Sequence, residues 1–143
     1  MSPYRYRVSF SAHHPSADVA PLFDQLGWEP DHLWQAGQPR LSALGAPRGG
    51  VHADSYGTVR LTEREPREWS QESLEQCLEH LQHRLAAHRG AMQDFSARGG
   101  RCGLSIGMSG QDAFGFELSP QLHRALAELE LSLGFDIEPG NEP

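Results

Sequence analysis

Residues 70–98 read SQESLEQCLEHLQHRLAAHRGAMQDFSAR, and they are the stretch from which the fold can be predicted. Their apolar side chains follow three- and four-residue steps, the spacing of one stripe along an α-helix. The stripe consists of Leu74, Cys77, Leu78, Leu81, Leu85, Met92 and Phe95. A helix of about 26 residues would be roughly 40 Å long, enough to cover one side of a small sheet. We therefore predict one long helix packed on a sheet.

Downstream of this helix, the sequence predicts strands and a further helix. Residues 101–109 alternate apolar with small or polar side chains, as a half-buried strand does. A Gly-Gln-Asp turn predicts a hairpin into a partner strand over residues 114–118. A Ser-Pro pair then predicts the start of a helix that is closed by Gly134, and residues 135–137 predict a short last strand.

Upstream of the long helix, the sequence predicts a strand, a short helix, a loop and a second strand. Residues 4–12 alternate, so that Tyr and other apolar side chains face one side and Arg or Ser the other. The short helix that follows is stopped by Gly27. Residues 41–55 are rich in Gly, Ala, Pro and Ser and predict a long loop. Residues 56–61 predict the second strand.

Together these elements predict the order β-α-β-β-α-β-β-α, with a short strand at the end. Antiparallel strands with one apolar face, covered by helices on that face, predict an α+β fold, a two-layer sandwich with a mostly antiparallel sheet. The first six elements follow the ferredoxin-like order, and a β-α pair is added to it. We expect residues 1–143 to form a single domain with a flexible tail from about Pro139.

The net charge of −7 is unevenly distributed along the chain. From Gly103 onward there are seven acidic residues and one Arg, a balance of −6, which leaves −1 for the first 102 residues. An acidic C-terminal third argues against binding to the phosphate backbone of nucleic acids as the main activity. It is compatible with a basic protein partner.

The composition also argues against membrane and secreted classes of protein. The longest apolar runs have only a few residues, whereas a membrane span needs about 20. Residues 1–8 lack the apolar segment of a secretory signal. Cys77 and Cys102 form no CxxC motif and fall on apolar faces, so we interpret them as reduced core residues of a cytoplasmic protein. A disulfide between the two is the alternative.

Several short segments resemble a known family. Residues 16–30 contain Ser-Ala-Asp-Val and Leu-Gly-Trp-Glu-Pro, and residues 34–40 read WQAGQPR. Later segments are Leu-Ser-Ile, Phe-Glu-Leu-Ser-Pro and Phe-Asp-Ile. These segments resemble the small bacterial proteins of domain-of-unknown-function family 4279 (DUF4279), over nearly the whole chain. The chain departs from the family at Thr58-Val59, where a Trp is usual, and in its long 41–55 loop. The resemblance implies the family's fold and a bacterial setting, but no activity.

The histidines of the chain raise two chemical hypotheses. His80 and His83 lie three residues apart on the long helix, but a zinc site needs about four ligands, and we predict no metal site. The second cluster contains His13, His14, His52 and Asp54, which could support acid–base chemistry if the side chains met. A polar loop cluster is the other interpretation. Because the chain has no GxSxG, P-loop or GxGxxG motif, we expect neither an enzyme nor a cofactor.

The leading hypothesis is a non-enzymatic protein-binding module, namely an immunity protein that neutralises a toxin of the same bacterium by occlusion. The predicted partner-binding residues are Glu128, Glu130, Asp136 and Glu138, with Trp28, Trp34 and Trp69 as aromatic anchors if they are exposed. The partner would be a basic toxin. The chain itself would be a cytoplasmic monomer or homodimer that binds neither nucleic acid nor a membrane.

The alternative hypothesis is a small-molecule or anion-binding domain. It would use the polar face of the predicted sheet, where small side chains leave room beside four cationic ones. These are Arg5, Arg7, Arg60 and Arg101.

Overall fold

The computed structural model of the chain describes residues 3–139. These residues form eight strands and four helices. In chain order they are β1 (Arg5–His14), α1 (Ala20–Leu26), β2 (His32–Trp34), β3 (Pro39–Leu41), β4 (Pro47–Val51), β5 (Ser55–Arg60), β6 (Arg67–Glu68), α2 (Leu74–Ala86), α3 (Arg89–Ala97), β7 (Arg101–Gly110), α4 (Pro120–Glu128) and β8 (Leu131–Pro139). Beyond Pro139, the predicted flexible tail lies outside the described residues.

β1 is the central strand of a six-stranded sheet. The strand order is β2-β5-β1-β7-β8, and β6 pairs with the beginning of β1. β1 is antiparallel to β5, β6 and β7, and β2 is antiparallel to β5, whereas β7 and β8 are parallel. The predicted α+β fold with a mostly antiparallel sheet is confirmed. The ferredoxin-like order is not confirmed.

The alternation along β1 assigns the two faces of the sheet. Tyr6, Val8 and Phe10 are at most 1% exposed and belong to one hydrophobic core, to which all four helices contribute side chains. Arg5 and Arg7 are exposed on the opposite face. We call the opposite face the open face. The sheet and its helices therefore form the predicted two layers.

The predicted helix of residues 70–98 is in fact two helices, α2 and α3. The apolar stripe explains the break, because Leu85 and Met92 are seven residues apart with only polar residues, Ala and Gly90 between them. A helix gains most of its stability from packing its apolar side, and Gly is a poor helix former. The first helix therefore ends at Ala86, and the second begins at Arg89, where the stripe is interrupted.

The start of α2 also lies later than predicted. The Ser73 hydroxyl accepts a hydrogen bond from the Gln76 N–H (3.1 Å), and Gln76 Oε1 accepts one from the Ser73 N–H (3.0 Å). This reciprocal pair is a capping box, which satisfies two N–H groups that the helix itself cannot. Residues 70–73 therefore precede the helix.

The C-terminal part of the chain contains a parallel crossover, so the predicted hairpin is wrong. Residues 113–119 form no strand, and Phe114 stacks on Tyr4 with ring centroids 5.5 Å apart. The apolar alternation of residues 114–118 arises because one side of this segment packs on the core. α4 ends at Glu128, and the residues beyond Glu130 form β8 instead of a last helical turn. Parallel strands require such a crossover connection.

Residues 41–55 contain most of a β-hairpin, so the predicted long loop is also wrong. β3 and β4 pair as a separate two-stranded sheet. At its tip the Ser42 N–H donates to the Ala46 carbonyl over 2.7 Å, and Gly45 has a φ of 82°. Glycine adopts this left-handed conformation at little cost, so the Gly-rich composition is explained by the turn.

The two cysteines are buried free thiols in the core. Burial is the main cause that raises the pKa of Cys77 to about 11, and the charge of Glu72 adds to it. Burial alone raises the pKa of Cys102 to about 12. In an unfolded chain both thiols would ionise near pH 8.5–9. Between about pH 9 and 12 the folded state therefore retains protons that the unfolded state has lost.

We accordingly expect the free energy of unfolding to fall as the pH rises from 9 towards 12. Each thiol should contribute a loss of about 1 kcal/mol between pH 9 and 10. Urea unfolding at pH 8, 9 and 10 under reducing conditions measures this slope. In the double variant C77A/C102A the slope should be shallower by about 2 kcal/mol over the same interval. An unchanged slope in that variant would contradict the assignment to the thiols.

Candidate protein-binding site

The four predicted acidic residues lie in two groups, one at the end of α4 and in the turn after it, the other along β8. Glu128 ends α4 and its carboxylate lies 3.7 Å from the Arg89 guanidinium. Glu130 has a φ of 58° in the turn between α4 and β8. Asp136 and Glu138 lie near the other end of β8, on the open face. Since a strand rises about 3.3 Å per residue, the two groups are roughly 20 Å apart.

β8 is an edge strand. It pairs with β7 along all nine of its residues, and no strand among residues 3–139 pairs with its other edge. Its register places Leu131, Leu133, Phe135 and Ile137 beside the buried residues of β7, on the helix side of the sheet. Phe135 is 38% exposed and Ile137 is 58% exposed. An exposed edge with apolar side chains is typical of a site where another chain binds.

A groove of about 390 Å³ adjoins the end of β8. Its apolar lining is Phe114, Phe116 and Ile137, and its acidic lining is Asp112 and Glu138. The Phe116 ring also stacks on Phe135, with centroids 5.4 Å apart. We call this groove, together with the outer edge of β8, the β8 site. It combines an apolar surface with carboxylates, as the core and rim of a protein interface do.

The three tryptophans are not exposed anchors. Trp28 is half-buried against Phe10, with centroids 5.3 Å apart, and the Arg84 guanidinium lies 4.9 Å from its ring centroid. Trp69 is half-buried, with its ring 6.4 Å from Tyr4. These two residues therefore pack at the margin of the hydrophobic core.

Trp34 connects the β3–β4 hairpin to the sheet. Its ring stacks on His52 at 4.6 Å and 11°, and lies 4.9 Å from Tyr56. The Gly37 N–H donates to the His52 carbonyl over 2.9 Å, which joins the turn after Trp34 to the end of β4. Trp34 therefore holds the hairpin in place. The aromatic residues at the β8 site are Phe114, Phe116 and Phe135.

The four arginines of the alternative hypothesis all lie on the open face, but acidic residues share that face. Register places Arg7, Gly107 and Asp136 side by side on β1, β7 and β8. Arg5, Ser109 and Glu138 form the next such row. Strands two apart in a sheet are separated by about 10 Å, so a cationic column on β1 faces an acidic column on β8.

The arginines differ in their partners. Arg5 lies 3.9 Å from Glu68, and Arg101 lies 3.4 Å from Nδ1 of His13. Within the described part of the chain, Arg7 and Arg60 form no ion pair. Both are exposed, and Arg60 pairs in register with Ser9, two residues from Arg7.

The histidine cluster of the acid–base hypothesis is divided between the two faces of the sheet. His13 Nε2 lies 2.6 Å from Asp54 Oδ2, so these two residues do meet. His14 is the next residue of the strand and therefore points to the opposite face. Its Nδ1 accepts the Ser16 and Ala17 N–H groups, and its Nε2–H donates to the Arg98 carbonyl over 2.8 Å. His14 thus joins the end of β1 to the end of α3.

The remaining histidine pair lies on the surface of α2. His80 Nδ1 is 2.7 Å from Glu72 Oε2, and His83 is exposed. Among residues 3–139, no group of three or more His, Cys, Asp and Glu side chains could hold a metal ion.

Comparison with known proteins identifies the family of the chain. Residues 4–140 match the model of the family described as "Domain of unknown function (DUF4279)", so the chain belongs to this family, as its motifs predicted. None of the curated proteins and none of the solved structures compared with the chain matches it. Within residues 3–139, no helix is long and apolar enough to cross a membrane.

The stacking of Trp34 on His52 predicts a local effect of removing the indole ring. In the variant Trp34→Ala, the amides of Gly37 and His52 should exchange with solvent about tenfold faster, while those of β1 and β7 change little. Hydrogen exchange measured by NMR would test this. Trp69→Ala is the matched control, since it also removes a half-buried indole but should leave hairpin exchange unchanged. Equal hairpin exchange in both variants would contradict the proposed role of Trp34.

Proposed function

We propose that this member of the DUF4279 family is a non-enzymatic protein-binding module, an immunity protein that neutralises a cognate toxin in the bacterial cytoplasm. Its partner would bind at the β8 site and be inhibited by occlusion. The observation that supports this proposal is the exposure of Phe135 and Ile137 on an edge strand that also carries Asp136 and Glu138 and whose outer edge pairs with no strand among residues 3–139.

The chemistry of the β8 site favours a basic partner. Asp112 and Glu138 line the groove beside its apolar side chains, and Asp136 lies on the open face of the same strand. A partner with Lys or Arg beside an apolar patch would therefore be complementary in both respects. The charges would mainly accelerate association, and the apolar contacts would slow dissociation. Enzymes that act on polyanions have basic active-site rims, and an acidic surface placed there would exclude the substrate.

A non-enzymatic role is supported by the arrangement of the histidines. Acid–base chemistry requires the groups to lie within hydrogen-bond reach of one reacting centre. His13 and Asp54 do meet, at 2.6 Å, but His14 lies on the opposite face of the sheet, and both of its ring nitrogens are engaged by backbone groups. His52 is stacked on Trp34. The four groups therefore do not converge on one centre.

A second candidate function is binding of an anion on the open face. It is favoured by Arg7 and Arg60, which are exposed, diagonal neighbours without an ion pair among the described residues. The acidic column of β8 opposes it, because Asp136 would repel an anion placed beside Arg7. Protein binding at the β8 site is therefore the better proposal, because it accounts for both the acidic and the exposed apolar residues of β8.

Charge reversal at the β8 site tests the proposed function. Tagged protein would first capture its partner from native lysate, and association of the isolated partner would then be measured at low and high salt. The variant D136K/E138K should associate about tenfold more slowly at low salt, with a weaker salt dependence. Both side chains are exposed, so the fold should be retained.

The matched control is D24K/E29K, which changes the net charge equally. These two exposed residues follow β1 and belong to the part of the chain near β5, away from β8. The control should bind like the native protein. If the two variants associate with the partner at the same rate, the β8 site is not the binding surface and the proposed function is wrong in this form.

A further inference from the structure

We infer that the partner binds by adding one extended segment to the outer edge of β8, and that this segment alternates apolar and basic side chains. The inference rests on the proposed function and specifies how its site binds. The occupant is a strand of a basic partner protein, and backbone hydrogen bonds along β8 hold it.

The first support is the length and position of the edge. β8 has nine residues, about 30 Å of strand, and the backbone groups of its outer edge have no strand partner among residues 3–139. The opposite end of the sheet is β2, which has only three residues. A long edge can accept several backbone hydrogen bonds from an added strand, whereas a very short one cannot.

The second support is the difference between the two sides of β8. An added strand places alternate side chains on the two faces of the sheet, about 5 Å from their cross-strand neighbours. On the helix side these neighbours are Phe135 and Ile137, with Phe116 behind them. On the open face they are Asp136 and Glu138. Apolar side chains would therefore fit one side of the added strand and Lys or Arg the other.

The third support is the free space above the sheet beside β8. A Cβ atom built on Gly134 or on Gly107 would meet no atom within 4 Å apart from its own chain neighbours. Glycine inside a strand weakens it and often marks a place where another chain approaches closely. The core does not require glycine at either position. The missing side chains leave space on the open face beside Asp136 and Glu138.

Charge argues for a foreign strand over a second copy of this chain. Pairing two copies through β8 would bring Glu130, Asp136 and Glu138 of both into one interface, and each chain carries a net charge of −7. Such like charges repel and suppress self-association. Charged side chains on an edge strand discourage pairing with another strand. Exposed apolar side chains such as Phe135 and Ile137 favour such pairing.

The test uses a nine-residue peptide of alternating Val and Lys, titrated into ¹⁵N-labelled full-length protein. The amides of residues 131–138 should shift, and D136K/E138K should weaken binding about tenfold, unlike D24K/E29K. Two further peptides carry N-methyl groups on all Val or on all Lys residues. Alternate N–H groups of a strand point to its two edges, and only one edge of the added strand bonds to β8. One methylated peptide should therefore bind at least tenfold more weakly than the unmethylated peptide, while the affinity of the other stays within about twofold.

The outcomes separate the binding mode from the proposed function. Strand addition is overturned if the peptide does not bind, if the shifts lie outside β8 and its groove, or if the two methylated peptides bind with equal affinity. Dimerisation of the protein through β8, detected by sedimentation, also overturns it in favour of a second copy. If strand addition fails while the natural partner still distinguishes D136K/E138K from D24K/E29K, the proposed function stands. If the partner does not distinguish them, the proposed function fails as well.

Discussion

The structure depends on one constraint, the burial of a single face of β1. β1 pairs with β5 and β6 on one side and β7 on the other, so it has no free edge along most of its length. Tyr6, Val8 and Phe10 then define the side on which every helix must pack. Because the period of a strand is two, the same register sends Arg5 and Arg7 to the open face. Core and open face are thus fixed together.

The position of the acidic surface follows from the crossover through α4. A hairpin after β7 would have paired residues 114–118 with it and left the last residues elsewhere. Instead, Phe114 packs on Tyr4, and the chain returns through α4, so that β8 is parallel to β7 at the end of the sheet. Asp136 and Glu138 therefore lie at the sheet edge, where the outer backbone groups of β8 have no strand partner among residues 3–139.

Prediction from the sequence succeeded for elements whose order of apolar and polar residues has one physical cause. It failed where two different causes produce the same order. The alternation in β1 and β7 and the closure of α1 by Gly27 were correct. Residues 114–118 alternate because they pack on a core, which looks identical to strand pairing. At the candidate site, Asp136 and Glu138 were predicted from charge alone, whereas Phe135 and Ile137 were assigned to the fold, since their exposure depends on the sheet order.

The β8 site is separated from the residues that hold the fold together. Its acidic side chains are exposed, and the core beneath β7 is formed by Leu104 and Ile106, which are at most 1% exposed. Changing Asp136 or Glu138 removes no buried contact, so an altered affinity at these positions reports on binding and not on unfolding. A surface that can vary without cost to the core is also free to diverge in partner specificity, because specificity is a difference in affinity between partners. The proposed immunity role would require this combination, a core that keeps the fold and an edge that can be matched to one toxin.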